Sequence, residues 1–327
     1  MERLKVVVSD HVFETFDAER RILAAVNAEL VVLQCTSAAA LLPAMAGAHG
    51  LLNTYLAGIG AAVFDAAPRL RAVVRYGIGV DTIDIPAATA RGIQVANVPD
   101  YCIDEVADHA LAHLLCLSRK LGLADRKVKA GQWSLAYVKP LKAIREMRVG
   151  IIGFGRIGRA IAARLKPFGP EVVFFDPVQS TATQGCQAVD LDTLLASADA
   201  IVVQCPGTPA TRGLIGRDAF AKMRCQPILV NCARGEVVDT DALVEALRAG
   251  VVSGAGLDVL ADEAGVVQGP HPLKGFDNVI LTPHSAWFSS AAIPNLQRRA
   301  AEEMALVLSG RRPTSLLNPE VWERRRA

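Results

Sequence analysis

Several features are scarce or missing in this chain, and each scarcity removes a class of function. There is no excess of one charge: 35 Lys plus Arg face 33 Asp plus Glu, a net of +2. The balance gives no electrostatic reason to bind nucleic acid or an acidic membrane surface. Paired cysteines are missing as well. The seven cysteines are an odd number and include no C-x-x-C pair, which argues against a disulfide framework or a metal site and for reduced thiols in a cytoplasmic protein. The alanine-rich stretches are broken by Pro, Gly or charge before the roughly 20 residues that a membrane span needs. The opening MERLKVVVSD enters a strand-like run at once, so no signal peptide is expected. No fixed-period repeat or low-complexity linker interrupts the chain, and the basic end at Arg324, Arg325 and Arg326 reads as a solvated tail.

What is present is 327 residues, 51% of them apolar and 21% charged. That is too long for one ordinary core and implies two domains. Short apolar runs at 5–9, 30–33, 50–53, 72–75 and 93–97 alternate with helix-length segments, the first of these helical from 18 to 28. Such alternation predicts a parallel sheet with crossover helices. A long amphipathic helix is expected over 104–129. Six further strand-like runs follow, at 149–152, 172–175, 200–204, 228–231, 254–259 and 279–282, the number that a doubly wound nucleotide-binding sheet requires. The segment 285–310 reads as helical again and is expected to pack back on the first domain. The expected division is 1–100 with 286–327 in one domain and 101–285 in the other.

The segment RVGIIGFGRIGRAIAARLKPFG carries the most information. Gly153, Gly155 and Gly158 form G-x-G-x-x-G directly after a strand and before a helix. The first glycine allows the tight turn, the second lets backbone approach a pyrophosphate, and the third lets the helix lie close to the strand. The helix N-terminus then presents free N–H groups to negative charge. The next strand ends in Asp176, 18 positions after the third glycine. An acid there accepts from ribose hydroxyls and repels a 2′-phosphate, which predicts NAD rather than NADP.

Three groups downstream make sense together. Arg234 lies in NCARGEVVD, Glu263 in GAGLDVLADEAG and His284 in LTPHSAW, each beyond the carboxyl end of an expected parallel strand, where ligands bind in open α/β sheets. Reducing a 2-oxo acid needs a proton donor at the carbonyl oxygen, and imidazole is suited to that near neutral pH. A carboxylate beside the ring fixes its orientation, and a guanidinium can hold the substrate carboxylate and polarise the carbonyl.

These motifs, with VRYGIGVDTID, resemble the D-isomer-specific 2-hydroxyacid dehydrogenases over nearly the whole chain. The resemblance implies an NAD-dependent oxidoreductase interconverting a small D-2-hydroxy acid and its 2-oxo acid. Its fold would be two doubly wound α/β domains, a Rossmann-type cofactor domain and a discontinuous, flavodoxin-like substrate domain. Arg234, Glu263 and His284 would be catalytic. The RYGIGVD loop, at Ile78 and Gly79, would bind the substrate carboxylate. Cofactor contacts would come from Gly153, Gly155, Arg156, Ile157, Gly158 and Asp176, and from Cys205, Pro206 and Thr211 on the adenine side. Cys232, Ala233, Val106 and Asp258 would complete the set, Asp258 near the nicotinamide carboxamide. A homodimer through the cofactor domains is implied.

Many members follow the histidine with a pair of small residues, from which Ser285, Ala286 and then Trp287 depart; Trp287 is read together with Arg75. They are similar to positions in the C-terminal-binding corepressors and in bacterial chains akin to phosphoglycerate dehydrogenases, which places Arg75 by the substrate carboxylate and Trp287 on the pocket wall or at a domain interface. Two alternatives stay open at this point: an NAD(H)-sensing binding protein, and a phosphite-type dehydrogenase that shares the same three side chains. Formate chemistry pairs the histidine with glutamine, against which Glu263 argues.

Overall fold

The computed structural model describes residues 3–326, which divide into two compact units: the chain up to Tyr101 together with Ser289 onward, and Cys102–Phe288.

The first unit alternates strand and helix without exception: β1 (Leu4–Val8), α1 (Asp17–Ala24), β2 (Ala28–Val32), α2 (Ala38–Met45), β3 (Gly50–Asn53), α3 (Ala61–Asp65), β4 (Ala72–Arg75), α4 (Ile85–Ala90) and β5 (Gln94–Ala96). The pairings between these strands are parallel, in the order β2-β1-β3-β4-β5, the flavodoxin-like arrangement. Val6, Val7, Val8, Leu51, Leu52, Val73 and Val74 are fully buried, because helices cover both faces and a parallel strand must then be apolar throughout. The helical reading from 18 to 28 overshoots. α1 ends at Ala24, Asn27 turns left-handed at φ 55°, and β2 begins at the next residue.

The second unit begins with α5 (Ile103–Ser118) and α6 (Leu121–Lys129), then runs through β6 (Arg148–Ile152), α7 (Arg156–Leu165), β7 (Glu171–Phe175), β8 (Gln187–Ala188), α8 (Leu191–Ser197), β9 (Ala200–Val203), α9 (Arg217–Lys222), β10 (Ile228–Asn231), α10 (Thr240–Arg248), β11 (Gly254–Leu257), α11 (Glu263–Gln268) and β12 (Val279–Leu281). The single helix expected over 104–129 is in fact two, because Lys120 adopts a left-handed backbone (φ 51°) between them. The sheet has seven strands, one more than the sequence pattern shows. The addition is the two-residue β8, too short to print a period. Strand order is β12-β11-β10-β9-β6-β7-β8, the Rossmann order, with its direction reversing between β6 and β9. Asp190 and Asp239 cap α8 and α10 by accepting from Thr193 N and Ala242 N at 2.7 and 3.0 Å.

The last long helix, α12 (Ala292–Leu308), belongs to the first unit, where it packs on α1 and β4. A side chain at Gly50 would strike Met304 of α12, so the glycine lets helix and sheet approach closely. The helix starts seven residues later than position 285, since the Ser289 hydroxyl accepts from Ala292 N at 2.9 Å and residues 285–288 form a loop. Among the described residues, no helix is long and apolar enough to cross a membrane.

Candidate active site

The turn between β6 and α7 lies where the second sheet reverses its order. Gly153 has φ 94°, and a Cβ there would come within 2.7 Å of the backbone of Gln204 and Cys205 at the end of β9. Gly158 touches the Gly153 carbonyl so closely that any side chain would separate helix from turn. Gly155, the N-cap of α7, is different: nothing lies within 4 Å of a Cβ built on it. Two glycines therefore answer to packing, and one faces open space at a helix N-terminus, the arrangement that accepts a pyrophosphate. Arg156 and Ile157 form the first turn of that helix.

Asp176, one residue past β7, holds this turn. Its Oδ2 accepts from Phe154 N at 2.7 Å, and its Oδ1 accepts from Val178 N and Gln179 N at 2.8 and 3.0 Å. Burial alone would raise its carboxyl. The three N–H groups and the charge of Arg159 outweigh burial and hold it below its ordinary value. Across the reversal point, the loop after β9 is closed by Thr211, whose hydroxyl donates to Pro206 O at 2.6 Å and accepts from Thr208 N at 2.8 Å. Cys205 beside it is buried, which pushes its thiol up to about 11, and burial raises Cys232 further still. Both are neutral wall residues and not nucleophiles. Val106 and Ala233 are also buried.

Arg234, Glu263 and His284 follow β10, β11 and β12, three neighbouring strands. The fully buried Asn231 shapes the first loop, donating from Nδ2 to Arg234 O at 2.9 Å and accepting from Ala233 N at 3.0 Å. Arg234 Nη1 donates to Ala233 O at 2.7 Å. A Cβ at Gly235 would collide with the backbone of Leu260 and Ala261, so this glycine presses the Arg234 loop onto the loop leading to Glu263. Glu263 Oε1 lies 3.0 Å from His284 Nδ1, with the two side chains 50% and 31% exposed. The carboxylate thus accepts from Nδ1 and fixes the orientation of a partly exposed imidazole.

His284 stands in a left-handed backbone (φ 52°), a conformation that costs a non-glycine residue about 1–3 kcal/mol and so needs support. Asp258 supplies it. Its carbonyl accepts from His284 N at 2.9 Å, its Oδ1 accepts from Ser285 N at 2.9 Å and its Oδ2 from Ala286 N at 2.9 Å. The Thr282 hydroxyl donates to Oδ1 at 2.6 Å. With its side chain 1% exposed, this carboxylate is turned into the histidine loop. Trp287 follows, edge-on to Phe288 at 5.8 Å between ring centroids.

In the first unit, the loop after β4 is also tightly built. Arg75 Nη1 donates to Tyr76 O, and a side chain at Gly77 (φ 148°) would strike the Arg75 guanidinium. Asn97 Nδ2 donates to Ile78 O at 2.6 Å and Val98 N to Gly77 O at 3.0 Å, which ties the Gly77–Ile78–Gly79 segment to the residues after β5.

Comparison with known proteins agrees with this geometry. Residues 111–286 match the model of the D-isomer specific 2-hydroxyacid dehydrogenase NAD-binding domain. A glyoxylate reductase from Thermofilum pendens is 38% identical over 80% of this chain and 79% of its own length.

The chain belongs to the D-isomer-specific 2-hydroxyacid dehydrogenase family.

A D-3-phosphoglycerate dehydrogenase from Mycobacterium leprae is 40% identical over 83% of this chain, which spans only 51% of that longer protein. Among solved structures, an NADPH-dependent glyoxylate/hydroxypyruvate reductase from Sinorhizobium meliloti superposes with a TM-score of 0.85 at 30% identity over all of both chains. A D-lactate dehydrogenase from Aquifex aeolicus, complexed with NAD and lactic acid, gives 0.84 at 26% identity over 93% of this chain and 96% of that one. The protein is accordingly an NAD-dependent D-2-hydroxyacid dehydrogenase. None of these relatives is named as a corepressor or a phosphite enzyme.

Sequence reasoning about this dehydrogenase missed two sets of residues. Tyr55 lies after β3, with the Arg75 guanidinium carbon 5.5 Å from its ring centroid. Its loop is organised by the buried Asp10, which accepts from the consecutive N–H groups of Thr54, Tyr55 and Leu56 at 3.1, 2.5 and 3.0 Å. His109 and His113, on α5, both reach the Thr282 hydroxyl. Their four-residue spacing on an apolar helix was the available signal, since it puts both on one face.

Proposed function

We propose that this dehydrogenase reduces a small 2-oxo acid, glyoxylate or hydroxypyruvate, to the corresponding 2-hydroxy acid with NADH, glycolate being achiral and glycerate formed as the D isomer. The observation that carries the reading is the 3.0 Å pair between His284 Nδ1 and Glu263 Oε1, which orients the imidazole for proton transfer through Nε2. The bound cofactor supplies the hydride. His284 Nε2–H donates the proton to the carbonyl oxygen, while Glu263 keeps the ring in the tautomer and orientation that this transfer needs. Arg234 polarises the carbonyl and holds the carboxylate by two-point contact. Within the first unit, Arg75 and the N–H groups of Ile78 and Gly79 are the carboxylate-binding groups of this reading, and within the second Trp287 offers an apolar wall.

The residues present fit the dinucleotide: Gly155 opens on free space at the start of α7, and Asp176 keeps an acceptor position for ribose beyond its three N–H bonds. Cys205, Pro206 and Thr211 would flank the adenine, with Arg156, Ile157, Gly153 and Gly158 at the pyrophosphate. Val106, Cys232 and Ala233 would line the nicotinamide side, where Asp258 would act through the loop that it holds. The substrate preference rests on relatives named glyoxylate reductase that cover four-fifths of this chain.

We also propose a cytoplasmic homodimer formed through the cofactor-binding units. Leu121, Val128, Trp133 and Leu135 are 56, 46, 89 and 71% exposed on one segment of that unit, and exposed apolar side chains gathered on one surface mark interaction sites.

NADH consumption across a panel of 2-oxo acids tests the substrate. The highest kcat/KM is expected with glyoxylate or hydroxypyruvate. Faster turnover of branched or aromatic oxo acids would overturn the assignment.

A further inference from the structure

Behind the histidine loop lies a buried polar cluster that the chemistry above does not use. His109 Nε2 is 3.0 Å and His113 Nε2 is 3.2 Å from the same atom, Thr282 Oγ1, while that hydroxyl is 2.6 Å from Asp258 Oδ1. His109 Nε2 also lies 3.5 Å from Asp258 Oδ1, and the two imidazoles meet edge-on with centroids 4.8 Å apart. His113 is 4% exposed and the His109 side chain 25%.

Proton bookkeeping decides how these groups are arranged. A threonine hydroxyl carries one hydrogen and two lone pairs, and a carboxylate only accepts. The hydrogen of Thr282 must therefore go to Asp258, since no other group can supply one at that 2.6 Å contact. Its two lone pairs are then what the histidines meet, and each must arrive as an Nε2–H donor. Burial pushes His113 down to about 4, with the neighbouring His109 adding to the effect, so His113 is neutral and holds its one hydrogen on Nε2.

We propose that His109 and His113 are positioning residues for His284: as Nε2–H donors they saturate Thr282, orient its hydroxyl toward Asp258, and so hold the carboxylate that keeps residues 284–286 in place. Every link is a contact within the second unit. From Asp258 the amides of Ser285 and Ala286 are held at 2.9 Å, and between them and β12 His284 is kept left-handed. The histidines touch no reacting atom. They act by fixing which way one hydroxyl points.

This inference rests on His284 as the proton donor, and the test separates the two. Four single variants of the dehydrogenase, His284→Ala, Thr282→Val, His109→Leu and His109→Gln, and the Thr282→Val/His109→Leu double variant would be assayed with glyoxylate or hydroxypyruvate and NADH. Thr282→Val keeps the shape and removes the hydroxyl. It is expected to lower kcat about 10-fold, the scale of a small misplacement at a reacting centre, with KM and NADH Kd within about twofold. His109→Leu should lower kcat several-fold, whereas His109→Gln, whose side-chain amide supplies an N–H at a similar reach, should recover most of it. Adding His109→Leu to Thr282→Val should cost nothing further, because the first acts through the second.

Loss of turnover in His284→Ala with parental kcat in Thr282→Val and His109→Leu would refute the positioning role alone. So would equal losses in His109→Leu and His109→Gln, or kcat losses that add in the double variant. Parental turnover in His284→Ala would instead remove the proton-donor reading on which the proposal stands.

Discussion

Replacing Asp176 with alanine separates two tasks that one carboxylate performs. In the folded chain it accepts from Phe154, Val178 and Gln179. About four acceptor positions exist on a carboxylate, so one is left for a ribose hydroxyl. A hydrogen bond to a charged group contributes about 1.5–3 kcal/mol, and its loss weakens NADH binding roughly 10- to 150-fold. A 2′-phosphate about 4 Å from the same carboxylate meets a repulsion of about 4 kcal/mol per unit charge at an effective dielectric of about 20. Alanine removes that repulsion. The two effects run in opposite directions for the two cofactors, so the NADH-to-NADPH ratio of kcat/KM should fall at least ~100-fold. Initial rates with each cofactor at a fixed saturating 2-oxo acid measure it, and fluorescence titration gives the two Kd values. A ratio within about threefold of the parent would refute the reasoning, because neither the ribose bond nor the repulsion could then exist. The same variant has a stability signature. With its folded value depressed, Asp176 contributes fully above its ordinary 3.8, and the contribution is lost as pH falls through the folded value. The decline of Tm below pH 3.8 should therefore be shallower in Asp176→Ala.

Other perturbations probe separate parts of the molecule. Arg234→Lys should chiefly raise KM for the oxo acid and lower kcat, since lysine cannot make a two-point contact; unchanged steady-state constants would take Arg234 out of the site. Gly235→Ala drives a Cβ into the Leu260 and Ala261 backbone and should cost about 1–3 kcal/mol by denaturant titration, with kcat falling as the Glu263 loop is displaced. His113, held down to about 4 by burial, remains neutral in the folded state while the unfolded chain binds a proton below about 6.5. Its stability contribution is therefore complete above pH 6.5 and is lost as pH falls from there toward 4, on the order of 3 kcal/mol. His113→Leu should flatten that limb in Tm measurements against pH. Trp133→Glu combined with Leu135→Glu should shift the particle mass seen by light scattering from two chains to one; a mass unaffected by both changes would place the contact elsewhere.

The parts of this site that were legible in the letters are those where a local requirement leaves a residue type no alternative. Gly153 needs a positive φ and Gly158 needs contact with a carbonyl, so both print as glycine. Strands buried on both faces print as unbroken apolar runs, which is why β3, β4 and β10 could be placed to the residue. What was hidden depends on partners far away in the chain. His109 and Thr282 are 173 positions apart and Asp10 and Leu56 are 46 apart, and no periodicity encodes such pairs. Helix ends were misread for a related reason. Asn27 and Lys120 turn left-handed at φ 55° and 51° without the glycine that usually announces it. Asp258 illustrates a further limit: its motif marked it as important, but which way the carboxylate turns was decided by Thr282, Ser285 and Ala286, three groups beyond the next strand.

The seven-stranded sheet tapers at its margins, with a two-residue strand at β8 and a three-residue strand at β12. A ladder that ends in two or three residues offers almost no row of unsatisfied amides and carbonyls for a foreign strand to copy. Fibre-like stacking through these rims is thereby disfavoured, although every interior strand is apolar enough to template it. The proposed homodimer would then be recognised by side chains, and the indole of Trp133 is the largest exposed apolar side chain among the described residues of this unit.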